Sequence, residues 1–514
     1  MKKAGYRISA VCAAILMMAG IFYPAVPVAA SEEEIVLRVS NWEEYIDLGD
    51  WDEEELIELE SGSILGVNSI VSDFEYWYYK TYGKKVRVEY STFGTNEDLY
   101  SQLTLGDVYD LVCPSDYMIM KLMEENALCP LSEEFLNPEI EENYYIKGVS
   151  PFIKEIFDSN TINNEPWSKY AAGYMWGITG IVYNPDEISY EEAATWGVLN
   201  NKDYNRRVTI KDNVRDAYFP TLGILFEDTL LSKSFIEDPE YRSNLSALMN
   251  KVDMDTINGA EALLKEIKGN VYSFETDSGK ADMVTGKVVA NLQWSGDAVY
   301  TLDQAEEDEV YLEWAVPKEC TNLWFDGWIM LKAGIGEDEN KQHAAEAFIN
   351  YMSMPESVVR NMYYIGYTSA IAGGDSSLVY EYVDWCYGAE EDSEDTIEYN
   401  LGYFFAGDNE SAEYILIAKK EQARRQLAAQ YPTEEEINRS AVMLNFDDEA
   451  SKNINQMWIN VRCFNLSQIA AKTWVVAISV IVSVGLLLTL FLLRDKVFAK
   501  KTKNGYRREN NTID

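Results

Sequence analysis

The chain has 514 residues, with 86 acidic against 43 basic side chains for a net charge of −43, and 47% of its residues are apolar. A field of that sign repels nucleic acid and concentrates small cations near the surface. A single histidine (His343) and six scattered cysteines leave no material for a Ser-His-Asp triad, an HExxH zinc site or a disulfide framework, so neither an enzyme nor a cofactor or metal protein is expected.

In chain order, Lys2, Lys3 and Arg7 precede an apolar run from Ile8 to Val26, and small residues follow at 28–30. That order marks residues 1–30 as a secretory signal peptide cut after Ala30, with a retained N-terminal anchor as the alternative. The body, 31–472, opens on a strand over Ile35–Trp42. The acidic stretch from Asp47 to about Ile70 reads as a solvated insertion. An aromatic-rich helix over Phe74–Tyr82 is stopped by Gly83, and Val86–Thr92 alternates as a strand. Thr95 and Asp98 have the spacing of a capping box that opens a helix to about Leu105, and Tyr109–Ser115 forms a third strand. Strands alternating with helices predict an α/β sheet, whose ligands sit beyond the C-terminal strand ends, where Trp42 and residues 115–117 fall.

A second α/β region starts near Tyr170 and runs through Tyr183, Arg207–Asn213, a helical stretch to about Leu231, and Val288–Trp294. His343 stands in a stretch that reads as a helix surface, and 373–377 and 390–395 read as loops. Near the end, Thr473–Leu493 carries no charge over 21 residues. At 1.5 Å per residue it is long enough for a bilayer core of about 30 Å. Seven Lys and Arg residues follow from Arg494, the flank expected on the cytoplasmic side. The expectation is a single-pass membrane protein with an outer body, a transmembrane helix at 473–493 and a cytoplasmic tail at 494–514, with a buried core helix as the alternative.

Eight segments in order resemble the bacterial spermidine/putrescine-binding proteins of polyamine importers: Asn41–Tyr45, Tyr90–Glu97, Tyr109–Ser115, Trp176–Gly180, Lys211–Asp216, Trp294–Asp297, Trp324–Gly327 and Ile365–Tyr367. They cover roughly residues 35–370, and a last helix resembles 445–462. The resemblance implies a two-lobed periplasmic-binding-protein-like α/β fold of type II. Lobe 1 would hold about 35–168 and 324–370, and lobe 2 about 169–323 and 371–462, with a hinge between them. It implies a polyamine ligand, a permease and an ATPase as partners of an ABC-type importer, and no nucleic acid.

A polyamine is an apolar chain with ammonium groups at fixed intervals, so its site needs aromatic faces and carboxylates. By resemblance, Trp42, Tyr45, Tyr117, Trp294 and Trp324 form the aromatic walls. Glu44, Asp216 and Asp326 match amine-binding carboxylates, and Ser115 a polar position beside Tyr117. Taken singly, each aromatic could be core, Glu44 or Asp216 a surface charge or helix cap, and Asp326 a turn residue. Two positions depart from the spermidine-binding pattern. Asn213 stands where a carboxylate is expected, and Asp297, where a serine is expected, resembles a carboxylate of putrescine-preferring relatives. The rival readings are the same fold holding another small organic cation, and a sensory or adhesive ectodomain.

Overall fold

The computed structural model describes residues 34–390, 393–410, 412–463, 478–484 and 489. Two apolar runs organise it. Strand β4 (Ala171–Tyr183) and strand β8 (Thr321–Leu331) are buried along their whole lengths, as expected of strands covered on both faces. They pair antiparallel from Leu323↔Ile178 to Ile329↔Ala171. Around them stand β1 (Ile35–Trp42), β2 (Val86–Phe93), β3 (Leu111–Val112), β5 (Val208–Lys211), β6 (Ser273–Glu275) and β7 (Ala290–Trp294). The sheet order is β6-β5-β7-β4-β8-β3-β1-β2. Parallel strands lie at each end (β1 with β2 and β3, β5 with β6 and β7), and antiparallel pairs lie between. The two parallel sets are thus joined through the pair β4 and β8.

The alternation read from the sequence stands, with shorter elements in places. The third strand covers only Leu111–Val112, because Pro114 interrupts the run and helix α1 (Asp116–Glu124) begins directly after Ser115. Helix α2 (Val214–Leu225) is capped by Asn213, whose side chain accepts from the backbone N–H of Arg215 at 2.8 Å. Helix α3 (Ser295–Glu307) follows β7 without a loop. Both helices therefore start at the C-terminal ends of strands, with Asp216 and Asp297 in their first turns.

Three expectations need correction. The stretch 47–70 is not a solvated insertion: Trp51, Ile57 and Ile64 are buried, and Ile57–Leu59 pairs with Gly62–Ile64 as a hairpin. Its anchor is Asp47, fully buried, which accepts from Arg360 Nε at 2.7 Å and Trp51 Nε1 at 3.1 Å. Arg360 also reaches Asp73 at 2.7 Å. Second, His343 does stand in a helix, Glu339–Met352, but half-buried rather than free on its surface, meeting the Tyr78 hydroxyl at 3.0 Å and the Tyr82 ring edge-on. Third, among the described residues no helix is long and apolar enough to cross a membrane. This overturns the single-pass placement with a cytoplasmic tail. Of the segment 473–493, only residues 478–484 and 489 are described; the leader 1–30 and the tail 494–514 lie outside the described residues.

Candidate functional site

The centre of the site is Asp326. It lies at an irregularity of the β4–β8 pairing, where the register shifts between Asp326 and Gly327. A bulge bends a strand and re-aims its side chains. Here Asp326 forms an isolated bridge with Ser115, the last residue before α1. Its two carboxylate oxygens accept from Ser115 Oγ at 2.7 Å and from the Tyr45 hydroxyl at 2.8 Å. Asp326 is 6% exposed. Burial, with Asp216 adding repulsion, raises its pKa to about 6 against the pull of those two hydrogen bonds. It is not a turn residue.

A continuous set of contacts leads from Asp326 to the start of α3. The Tyr45 ring meets the Tyr367 ring edge-on at 4.9 Å, and Tyr367 donates to Asp297 at 3.0 Å. Burial keeps both phenols protonated and able to donate. The Trp324 ring lies 5.8 Å from that of Tyr367. Two glycines make room for these rings: a Cβ at Gly177 would stand 2.6 Å from the Trp324 indole, and one at Gly296 would stand 2.2 Å from the Tyr367 ring. Trp324 Nε1 and Trp42 Nε1 are buried without a hydrogen-bond partner among the described residues. The Trp42 ring rests on Phe93 at 4.8 Å.

On the other side, Asp216 from the first turn of α2 accepts from Trp294 Nε1 at 3.0 Å. Burial raises Asp216 to about 6, opposed by that hydrogen bond and by the charge of Lys211. Tyr117 donates to Glu97 at 3.1 Å, and the Arg215 guanidinium covers its ring at 4.6 Å. Asp297 behaves differently. Burial works against its ionisation, yet Lys211 at 2.9 Å and Lys280 at 3.7 Å hold its pKa below the ordinary value. Glu44 is exposed, with a left-handed backbone at φ 53°.

Seven of the ten expected residues (Tyr45, Ser115, Asp216, Trp294, Asp297, Trp324 and Asp326) are thus linked by contacts that pass through Tyr367 and Lys211, while Tyr117 stands beside Arg215, Trp42 rests on Phe93 and Glu44 is exposed. Sequence reasoning assigned no part to Lys211, Tyr367, Arg215, Lys280 or Glu97. Lys211 did carry a signal, since a lysine closing an apolar strand at its C-terminal end stands where ligands bind. Tyr367 closed one of the eight matching segments, but its part was visible only in its approach to Asp297.

The fold, with this cluster of buried carboxylates and rings at its strand ends, is that of a two-domain α/β solute-binding protein. The chain belongs to the bacterial extracellular solute-binding protein family, whose profile matches residues 70–377. It is 25% identical over 285 residues to the spermidine/putrescine-binding periplasmic protein of Salmonella typhimurium, covering 55% of this chain and 70% of the relative. It is 26% identical over 294 residues to the putrescine-binding periplasmic protein of Escherichia coli, covering 55% of this chain and 71% of the relative. The fold matches a solved spermidine/putrescine ABC transporter substrate-binding protein of Streptococcus pneumoniae at a TM-score of 0.52 and 22% identity, over 83% of this chain and 98% of the other.

Proposed function

We propose that this protein captures a polyamine outside the cytoplasm and delivers it to the permease and ATPase of an ABC-type importer, without chemical turnover. The observation that carries the reading is the pair Asp216 and Asp326. Both are buried, both face aromatic rings, and among the described residues neither has a lysine or arginine within ion-pair distance. Buried carboxylates in that state gain most from an incoming ammonium. An anionic ligand would meet repulsion from both. Relatives named for spermidine and putrescine support the same choice. The ligand chain would lie against Trp42, Tyr45, Tyr117, Trp294 and Trp324, with Ser115 orienting Asp326 and Glu44 at the entrance. The two lobes, about 35–168 with 324–370 and about 169–323 with 371–462, would close over it by a hinge.

Calorimetric titration of the purified protein with putrescine, spermidine, spermine, amino acids and sugars tests the reading. Heat is expected from a polyamine at concentrations on the order of micromolar. Binding confined to sugars or amino acids would overturn it. Loss of labelled polyamine uptake on deleting the gene tests delivery.

A further inference from the structure

Lys211 closes β5 with its ammonium turned to the first turn of α3, and its side chain is 1% exposed. The nitrogen lies 2.9 Å from Asp297 Oδ2 and 4.2 Å from the centre of the Trp294 ring. It donates to the Thr276 carbonyl at 2.7 Å, and Glu275 stands 3.9 Å away. An ammonium held between a carboxylate and an indole face is the arrangement a ligand amine would adopt. Here the chain itself supplies it. Asp297 is further occupied by the Tyr367 hydroxyl at 3.0 Å and by Lys280 at 3.7 Å. Of the three buried carboxylates read as amine partners, one is therefore already paired, and Asp216 and Asp326 remain open.

Resting on the polyamine reading, we propose that Lys211 is a resident ammonium that makes the site select a diamine over a triamine. Two open carboxylates match the two charges of putrescine. Among the buried carboxylates the third charge of spermidine finds no open partner, Glu44 being exposed to solvent, and it meets the charges of Lys211 and Lys280 instead. An unpaired like charge about 5 Å away at an effective dielectric near 20 would cost on the order of a hundredfold in affinity, and the partial offset by Asp297 leaves about tenfold.

The test is titration of wild type, Lys211→Met and Lys211→Arg with putrescine, spermidine and butylamine. Wild type is expected to hold putrescine at least about tenfold tighter than spermidine, with butylamine weaker than putrescine because one carboxylate stays unpaired. Lys211→Met should abolish or reverse that preference, and Lys211→Arg, which keeps the charge, should retain it. If Lys211→Met does not fold, the wild-type order decides alone. Spermidine bound as tightly as putrescine by wild type, or an unchanged preference in Lys211→Met, overturns the role of Lys211 and leaves the polyamine reading standing. Failure of wild type to bind any amine overturns that reading and this inference with it.

Discussion

Replacing Asp326 by asparagine separates a binding role from a structural one. The side chain keeps its shape, and its remaining carbonyl oxygen can still accept from Tyr45 or Ser115. What is lost is the charge. In the closed site a ligand ammonium would lack its counter-ion, and breaking a buried pair costs about 3–5 kcal/mol. At about 1.4 kcal/mol per tenfold, affinity should fall by roughly two to three orders of magnitude or more. Stability of the unliganded protein should move the other way. The folded pKa of about 6 lies above the ordinary 3.8. The folded state therefore binds the proton more tightly, and its advantage, complete below the unfolded pKa, is lost as pH rises through about 6. At pH 7 the ionised Asp326 thus weighs against the fold by up to about 3 kcal/mol, which asparagine relieves. Melting temperature and calorimetric affinity, measured on the same variant at pH 7, check both parts. A variant that melts well below wild type while binding the ligand normally would refute the reasoning and return Asp326 to the backbone.

Affinity for a diamine should weaken as pH falls from 7 to 5, because Asp216 and Asp326 both take up protons near 6 in the free protein, approaching tenfold per pH unit for each carboxylate below that point. A flat profile by titration across this range would count against both residues. Gly296→Ala would place a Cβ 2.2 Å from the Tyr367 ring and push it away from Asp297 and Tyr45. Overpacking of this kind costs about 1–3 kcal/mol, to be read from urea unfolding, and diamine binding should weaken with it. Arg360→Met would leave Asp47 buried without its cation, for a loss of about 3–5 kcal/mol in the same assay and little change in affinity per folded molecule.

How far the site could be read before the fold was known depended on the distance over which each residue finds its partners. Strand ends were legible because alternation and apolar runs are local, so Trp42 and Ser115 could be placed at the mouth of the sheet. The chemistry of Asp297 was not. Its state is set by Lys211, 86 residues away, and by Tyr367, 70 residues away. Asp47 was hidden for the same reason, since Arg360 lies 313 residues downstream and the buried Trp51, Ile57 and Ile64 are diluted among acidic neighbours. The bulge at Asp326 is invisible in the sequence, because it is a property of the register between two strands.

The strands β4 and β8 also govern how such a chain can come together. Val112 in β3 pairs with Ile329 in β8, and Trp176 in β4 with Phe325. The parallel set around β1 is not completed by one uninterrupted stretch of polypeptide, whereas the set around β5 is, because its inner strand β7 pairs with β4 just upstream. The first-made set, around β1, must wait for β8 to be synthesised more than two hundred residues later before its inner edge is covered. Pairings of such long range are slow to form, and the open edge of β3 is exposed to other chains in the interval. A chain cut between 112 and 321 is therefore expected to leave the set around β1 with its inner edge uncovered.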